Sequence, residues 1–380
     1  MRKPLFFVLI VILFTLTAQA KTLRLSDYGT PGDSIDDSGS FQTAVNELST
    51  NGGGTLVITE GLWDIQQGIL LINPSNNATS IRISGNKGAV IRLALNQEAT
   101  FLSIGNGIQA ELSGLIVVSK TTGPLYDGGY FLRSANTGQT IIQNCNFFGL
   151  LMKYDFIHIS NTDLVVEKCI FGGNATSGAQ IHAVNFSGVT VRDSLFLDYY
   201  NFLGAYYSKT PYNIGMWIKA ENDSMPGINA MGTKAVTVLN SRFDEGAPMA
   251  IYVKNAPFAD IADVQVNVSS VGDATAIRLD NVQFAQVKMS QFGFTAYRKP
   301  AITATNGTTL EVSGLRFANP VYFAEVDRST KVFKEKCAQC LELLVESNIA
   351  PGDKGAAAEK GGTVEPVMPT TKRAINQKEL

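Results

Sequence analysis

Apolar positions recur along the chain in two short patterns that keep step with each other. The first reads aliphatic, four residues, then aromatic or aliphatic: "LSGLIV" at 112, "IQNCNF" at 142, "VEKCIF" at 166, "VRDSLF" at 191, "VLNSRF" at 238, "IADVQV" at 261, "VKMSQF" at 287 and "VSGLRF" at 312. Its closing residues, Val117, Phe147, Phe171, Phe196, Phe243, Val266, Phe292 and Phe317, are spaced by 30, 24, 25, 47, 23, 26 and 25 residues. The second pattern is apolar-x-apolar and falls about ten residues ahead of the next copy of the first. It reads Ile157-His158-Ile159, Ile181-His182-Ala183, Ile251-Tyr252-Val253, Ile277-Arg278-Leu279 and Ile302-Thr303-Ala304.

Both patterns have the period of two that belongs to strands with one buried face. Two or three short strands in each copy, with no helical period between them, predict an all-β solenoid, the coils of a parallel β-helix. No coil of such a stack buries its apolar face alone; neighbours close the core and pair each other's backbone groups. Coils then lie about 4.8 Å apart, and equivalent positions touch. Phe147, Phe171 and Phe196 become an internal aromatic stack, and Cys145 and Cys169 a buried pair of thiols in register.

The flanks read differently. Residues 1–20 have a basic start at Arg2 and Lys3, an apolar run from Leu5 to Leu16 and a small-x-small end at Ala18-Gln19-Ala20, the form of a signal peptide cleaved near Ala20. The solenoid is expected over residues 21–330. Within it, "GDSIDDSGSFQTAVNEL" puts Asp36 or Asp37 with Ser38 at a helix N-cap and Phe41, Val45 and Leu48 on one face, a lid over the first coil. In residues 331–348, Val332, Phe333, Leu341, Leu343 and Leu344 suggest a short amphipathic helix. Its Cys337-x-x-Cys340 lacks the βαβ context of a redox motif and reads as a local disulfide or two free thiols. Residues 349–380, rich in Pro, Gly, Ala and Lys without periodicity, read as a disordered tail.

The stretch Asp27 to Trp63, "DYGTPGDSIDDSGSFQTAVNELSTNGGGTLVITEGLW", resembles the opening motif of the pectate-lyase-like superfamily, which includes glycoside hydrolase family 28-related and tailspike-like proteins. The resemblance rests on the Gly-x-x-Gly-Asp segment, the Asp-Asp before an amphipathic helix and the triple glycine. Ser34 stands where that motif has glycine, Glu60 where proline is common and Trp63 where tyrosine is usual. It implies a right-handed parallel β-helix, and it implies action on polysaccharides without naming one. The polygalacturonase elements of family 28 are largely missing. Asp155 in "YDFIHI" resembles part of an Asp-Asp element and "AIRLD" at 276 resembles an Arg-Ile-Lys strand without its lysine, while "AQIHAV" carries a histidine outside any Gly-His-Gly.

A formal net charge of −2 gives no reason to expect a nucleic-acid partner, and no later segment is apolar enough to span a membrane once the signal is removed. An exported protein, secreted, periplasmic or held at the cell surface, is the expected setting. Its oligomeric state has no signature in the sequence.

Candidate chemistry comes from the middle residue of the apolar-x-apolar strands, which points outward when its neighbours point inward. That row holds His158, His182, Tyr252, Arg278 and Thr303, with Lys219 of "WIKA" joining it. His158 and His182 are the protein's only histidines, and Asp155 precedes the first by three residues. Proton transfer at a sugar ring needs a positioned acid or base, and anionic sugars need cationic partners. Asp155, His158 and His182 are therefore the candidate catalytic groups, with Lys219 and Arg278 as carboxylate binders and Tyr252 beside them.

Two coils are expanded, roughly Ser119 to Thr140 and Leu197 to Thr233, and such insertions often build a binding face. The second holds Tyr199, Tyr200, Tyr206, Tyr207, Tyr212 and Trp217, of which Tyr206, Tyr207 and Trp217 are candidates to stack on sugar rings; packing onto the solenoid is the alternative. Its 47-residue spacing also fits two ordinary coils. If it is one coil, Asp198 and Glu245 become neighbours, a carboxylate pair of the kind glycoside hydrolysis uses. No compact metal-ligand cluster and no cofactor motif is visible, and calcium enters only under a lyase reading. The sequence thus points first to a polysaccharide lyase or hydrolase acting on an acidic polymer, with a non-catalytic glycan-binding or adhesin-like protein on the same scaffold as the alternative.

Overall fold

The structure, a computed structural model, describes residues 21–71, 79–105, 107–120, 126–175, 178–186, 188–197, 216–225, 235–244, 249–268, 275–294, 300–317, 324–335, 343–346 and 372–375. It is a right-handed parallel β-helix, each turn contributing a strand to each of three stacks. One turn shows the plan. Ile157–Ser160 forms the first strand, Asp163–Glu167 the second and Ile170–Ala175 the third. The chain then returns to Ala179–Val184, which pairs in parallel with Ile157–Ser160.

The closing residues of the hexapeptide repeat stack without a slip. In the third stack Val117 pairs with Phe147, Phe147 with Phe171, Phe171 with Phe196 and Phe196 with Phe243. Phe243 then pairs with Val266, Val266 with Phe292 and Phe292 with Phe317. Their rings form the expected column, with centroids 5.0 Å apart for Phe147 and Phe171, 4.8 Å for Phe171 and Phe196 and 4.9 Å for Phe196 and Phe243. A second interior column, Phe101, Phe131 and Phe156, runs beside it from the opposite corner. The register of Phe196 with Phe243 also shows that the 47-residue spacing is one expanded turn. Cys145 and Cys169 are buried, unbridged and one turn apart, with the Ile170 N–H donating to the Cys145 carbonyl at 2.9 Å.

Corners are made by single residues in the left-handed region. Between the first two strands of successive turns stand Asn136, Asn161, Asn185, Asn255, Asn281 and Asn306, with φ from 49° to 57°. Asparagine tolerates this conformation, and its amide can bond along the stack. Asn161 donates to Asn136 at 3.0 Å and Asn281 to Asn255 at 2.7 Å. The third residue of each hexapeptide makes the other corner: Gly114, Asn144, Lys168, Asp193, Asn240, Asp263, Met289 and Gly314 all have positive φ. Met289, at φ 48° and 63% exposed, has neither the freedom of glycine nor a local hydrogen bond to offset the clash. That conformation costs about 1–2 kcal/mol in an L-residue. Met289→Asn is expected to stabilise the fold by about 1 kcal/mol, read as a higher urea midpoint at unchanged slope. A lowered midpoint would show that the Met289 side chain contributes packing.

The helix predicted at the start is Ser38–Thr50, and it covers the first turn with Phe41, Ala44, Val45 and Leu48 fully buried. Phe41 meets Phe101 edge-on at 6.0 Å. The aspartates before it are structural, but they do more than cap. Asp37 occupies the N-cap without a side-chain bond to the helix; its carbonyl accepts from the Phe41 N–H at 3.0 Å, its Oδ2 accepts from the Asp64 N–H at 3.0 Å and its own N–H donates to the Asp64 carbonyl at 2.7 Å. Asp36 accepts from the Ser38 and Gln66 N–H groups, each at 3.0 Å. Together they tie the helix start to the strand Gly61–Ile65. Ser34, where the resembling motif has glycine, has φ 66°.

The far end differs from the expectation. Residues 331–348 are not a helix where described: Lys331–Glu335 and Leu343–Glu346 are strands that extend the second and first stacks. They pair with Thr309–Ser313 and Ala324–Asp327 and continue the ladder along an edge whose backbone groups a helix would leave unpaired. Lys372–Ile375, within the expected tail, pairs antiparallel with Leu343–Glu346. The signal segment, Cys337 and Cys340 lie outside the described residues. Among the described residues no helix is long and apolar enough to cross a membrane.

Candidate functional site

The first stack carries the outward row. Arg133 of Tyr130–Ala135 pairs with His158, His158 with His182, His182 with Lys219, Lys219 with Tyr252, Tyr252 with Arg278 and Arg278 with Thr303. Each turn thus contributes one side chain to the same line on the surface, because the residues on either side, such as Ile157 and Ile159, are buried. Arg278 lies over the Tyr252 ring at 5.6 Å, and Arg133 over the Tyr130 ring at 5.0 Å.

At the middle of the row the chemistry-bearing groups converge. Asp155 Oδ2 accepts from His158 Nδ1 at 2.8 Å and from His182 Nδ1 at 2.9 Å. Its Oδ1 accepts from the Ala179 N–H at 2.8 Å. This last contact needs Gly178, where a Cβ would sit 2.1 Å from Asp155 Oδ1. Beyond it, His182 Nε2 stands 3.0 Å from Glu221 Oε1, which also accepts from the Lys219 ammonium at 2.6 Å. Tyr130 meets His158 edge-on at 5.9 Å and stacks on Tyr154 at 5.1 Å.

The charge states follow from these contacts. Burial raises the Asp155 carboxyl, but the hydrogen bonds from His158 and His182 outweigh it and hold the group well below the usual carboxylate range. Burial lowers His182, and the bonds to Asp155 and Glu221 outweigh that too, so its pKa is raised. A carboxylate at each ring nitrogen favours the form in which both nitrogens donate, the imidazolium. Burial raises Glu221, while the bonds from Lys219 and His182 hold it below the usual range. His158 is different: Nδ1 faces Asp155, and no group among the described residues bonds Nε2.

Linkage gives a testable consequence for the metal-free protein. A raised His182 stabilises fully below its ordinary 6.5 and loses that contribution as pH climbs through the raised folded value. A depressed Asp155 stabilises fully above its ordinary 3.8 and loses it as pH falls through the lowered folded value. Both are present between 3.8 and 6.5. In buffer with a chelator, the urea midpoint of His182→Asn is expected to fall furthest below that of the parent near pH 5 and to approach it near pH 9. A gap that widens toward pH 9 would contradict the imidazolium assignment.

The sequence-derived candidates separate clearly. Asp155, His158 and His182 form one cluster, and Lys219, Tyr252 and Arg278 continue its row. Trp217 is corrected: it is wholly buried and packs at 6.0 Å from Phe196, so it belongs to the core. Tyr206 and Tyr207, with Tyr199, Tyr200 and Tyr212, lie outside the described residues, as do Asp198 and Glu245. Arg133, Tyr130, Gly178 and Glu221 were missed. The first expanded segment contains a regular strand, Tyr130–Ala135, whose triplet Leu132-Arg133-Ser134 ends on a serine; Ser134 is buried because it bonds Thr137 and Thr140 at 2.9 and 3.0 Å. Glu221, two residues beyond Lys219 on the same strand face, had that period as its only signal.

No family model matches the chain, and no curated protein matches it. Solved structures do. Two structures of PfbA, a surface adhesin of Streptococcus pneumoniae, match at 13% identity, one with a TM-score of 0.52 over 86% of this chain and 90% of that one, the other with 0.53 over 83% and 96%. The tailspike protein gp49 of Acinetobacter baumannii bacteriophage Fri1, a capsular polysaccharide depolymerase, matches with a TM-score of 0.51 at 14% identity, over 82% of this chain and 59% of its own. At these identities the likeness is one of fold.

Proposed function

We propose that the protein is exported and that the row from Arg133 to Arg278 is a groove for an acidic polysaccharide, which it cleaves by β-elimination. The observation that carries this reading is the His158–Asp155 pair. Asp155 fixes the ring through Nδ1 and leaves Nε2 as an unpaired base on the outward row, between a turn bearing Arg133 and turns bearing His182 and Lys219. Elimination from a uronate needs such a base together with cations that stabilise the carboxylate as charge develops on it. His158 takes the proton at C5, its electron pair forms the C4=C5 bond, and the C4–O bond breaks. The departing oxygen takes that proton back from the His158 imidazolium on the same face.

Elimination is favoured over hydrolysis by the condition of the two carboxylates described beside His158 and His182. Hydrolysis uses two carboxyl groups that are free to reach the sugar. Here Asp155 is 7% exposed with both oxygens engaged, and Glu221 is held between His182 and Lys219. Asp155 is accordingly a positioning residue beneath the groove.

The test is incubation of the protein from Lys21 onward with a panel of acidic and neutral polysaccharides, with and without calcium. Ultraviolet absorbance of unsaturated uronate appearing with new reducing ends supports the reading. Reducing ends without that absorbance would replace it with hydrolysis. Binding without any product would replace it with the adhesin-like reading, which the likeness to PfbA keeps in view.

A further inference from the structure

The groups that converge beneath the groove also form a ligand set, and we propose that Asp155, His158 and His182 bind a divalent transition metal ion of the zinc class. One ring nitrogen of each histidine and a carboxylate oxygen of Asp155 all lie within 4.8 Å of one another, and Nδ1 of each ring faces Asp155 Oδ2, at 2.8 Å from His158 and 2.9 Å from His182. Two imidazoles with one carboxylate suit zinc and its neighbours, whereas calcium and magnesium take oxygen ligands. Both imidazole nitrogens aim at the same Asp155 oxygen, so an ion replacing the two N–H protons meets three ligands with only small side-chain movement.

The surroundings are those of a built site. The histidines sit on Ile157–Ser160 and Ala179–Val184, paired residue for residue, so their separation is fixed by the strand ladder. Asp155 is oriented by the Ala179 N–H on its other oxygen. Glu221 accepts at Nε2 of His182 and is itself held by Lys219, which aims Nδ1 inward. A carboxylate on the far nitrogen of a ligating histidine is the usual outer support of a metal site. His158 and His182 stand on the outward row, so the remaining coordination position faces the groove, the arrangement of an open rather than a closed zinc site.

The ion lies beneath the row assigned above to the polysaccharide and rests on that assignment for its meaning in the reaction. An ion on Nδ1 of His158 leaves the ring proton on Nε2, so the elimination proposed above belongs to the metal-free protein and the loaded ring donates to the row instead. Metal binding itself is read without turnover, so either proposal can fail alone.

The experiment is calorimetric titration of the chelator-stripped, dialysed protein with zinc chloride, and separately with calcium chloride. One zinc ion per chain is expected, with affinity at least tenfold lower in His158→Ala, in His182→Ala and in Asp155→Asn, and about 10–100-fold lower in Glu221→Ala, whose residue supports the site without ligating. Circular dichroism checks that each variant is folded. Where a variant does not fold, the visible spectrum of the parent protein loaded with cobalt(II) decides. Intense bands of low-coordinate, nitrogen-ligated cobalt support the site, and the weak spectrum of the hydrated ion overturns it. Absence of saturable zinc binding by the parent, zinc binding unchanged in all four variants, or calcium displacing zinc at equal concentration would each overturn the proposal.

Discussion

Phe171→Ala is expected to destabilise the protein by about 3–5 kcal/mol. Phe171 is wholly buried, stacked on Phe147 at 5.0 Å and on Phe196 at 4.8 Å, with Phe156 edge-on at 5.8 Å. Truncation removes both faces of contact at once. The cavity cannot close by collapse, because the turns above and below are held at the strand spacing by their ladders. A solenoid also transmits the loss, since each turn is stabilised through its neighbours. Equilibrium urea unfolding measures it. A loss below about 1 kcal/mol would mean that the column rearranges to fill the gap.

His158→Ala is expected to lower kcat on the polysaccharide identified by the panel by about 10²–10⁴-fold, the usual worth of a positioned acid-base group, with little change in KM. His158→Gln should not restore it, because an amide of similar size has no basic nitrogen. Asp155→Asn should also lower kcat, since the ring then loses the anion that fixes its Nδ1 proton. Parent-like kcat in His158→Ala, with product confirmed, would remove the base from the mechanism and leave the cationic row as a binding surface.

The architecture was legible because two independent constraints wrote it into the chain. An inward column needs large apolar residues at one position per turn, and strands with one buried face need apolar residues at every second position. The first gave the register from Val117 to Phe317, and the outward row from His158 to Arg278 followed by alternation. What stayed hidden had weaker marks. Arg133 sits in a triplet whose third residue is a serine satisfied by threonine hydroxyls from the next corner, so burial there left no apolar trace. Trp217 was misread by the company it keeps in sequence; it enters the core near the start of the strand Met216–Glu221, beside Phe196. The strand Lys331–Glu335 resembled a helix because only Val332 of its residues packs against the core, while Phe333 is 57% exposed. The meeting of Asp155 with both histidines depends on Gly178 allowing close approach, a property of backbone geometry that side-chain patterns do not carry.

The one-residue-per-turn row is a ruler. Its graduations are set by the strand spacing, about 4.8 Å, and not by loop length, so the distance from Arg133 to Lys219 or to Arg278 can change only in whole divisions. Duplicating a complete turn between His182 and Lys219 would lengthen the scale by one division while keeping every mark facing outward. A polymer with charges at a fixed pitch would then be read one place out of phase, and selectivity among chain lengths would change in steps.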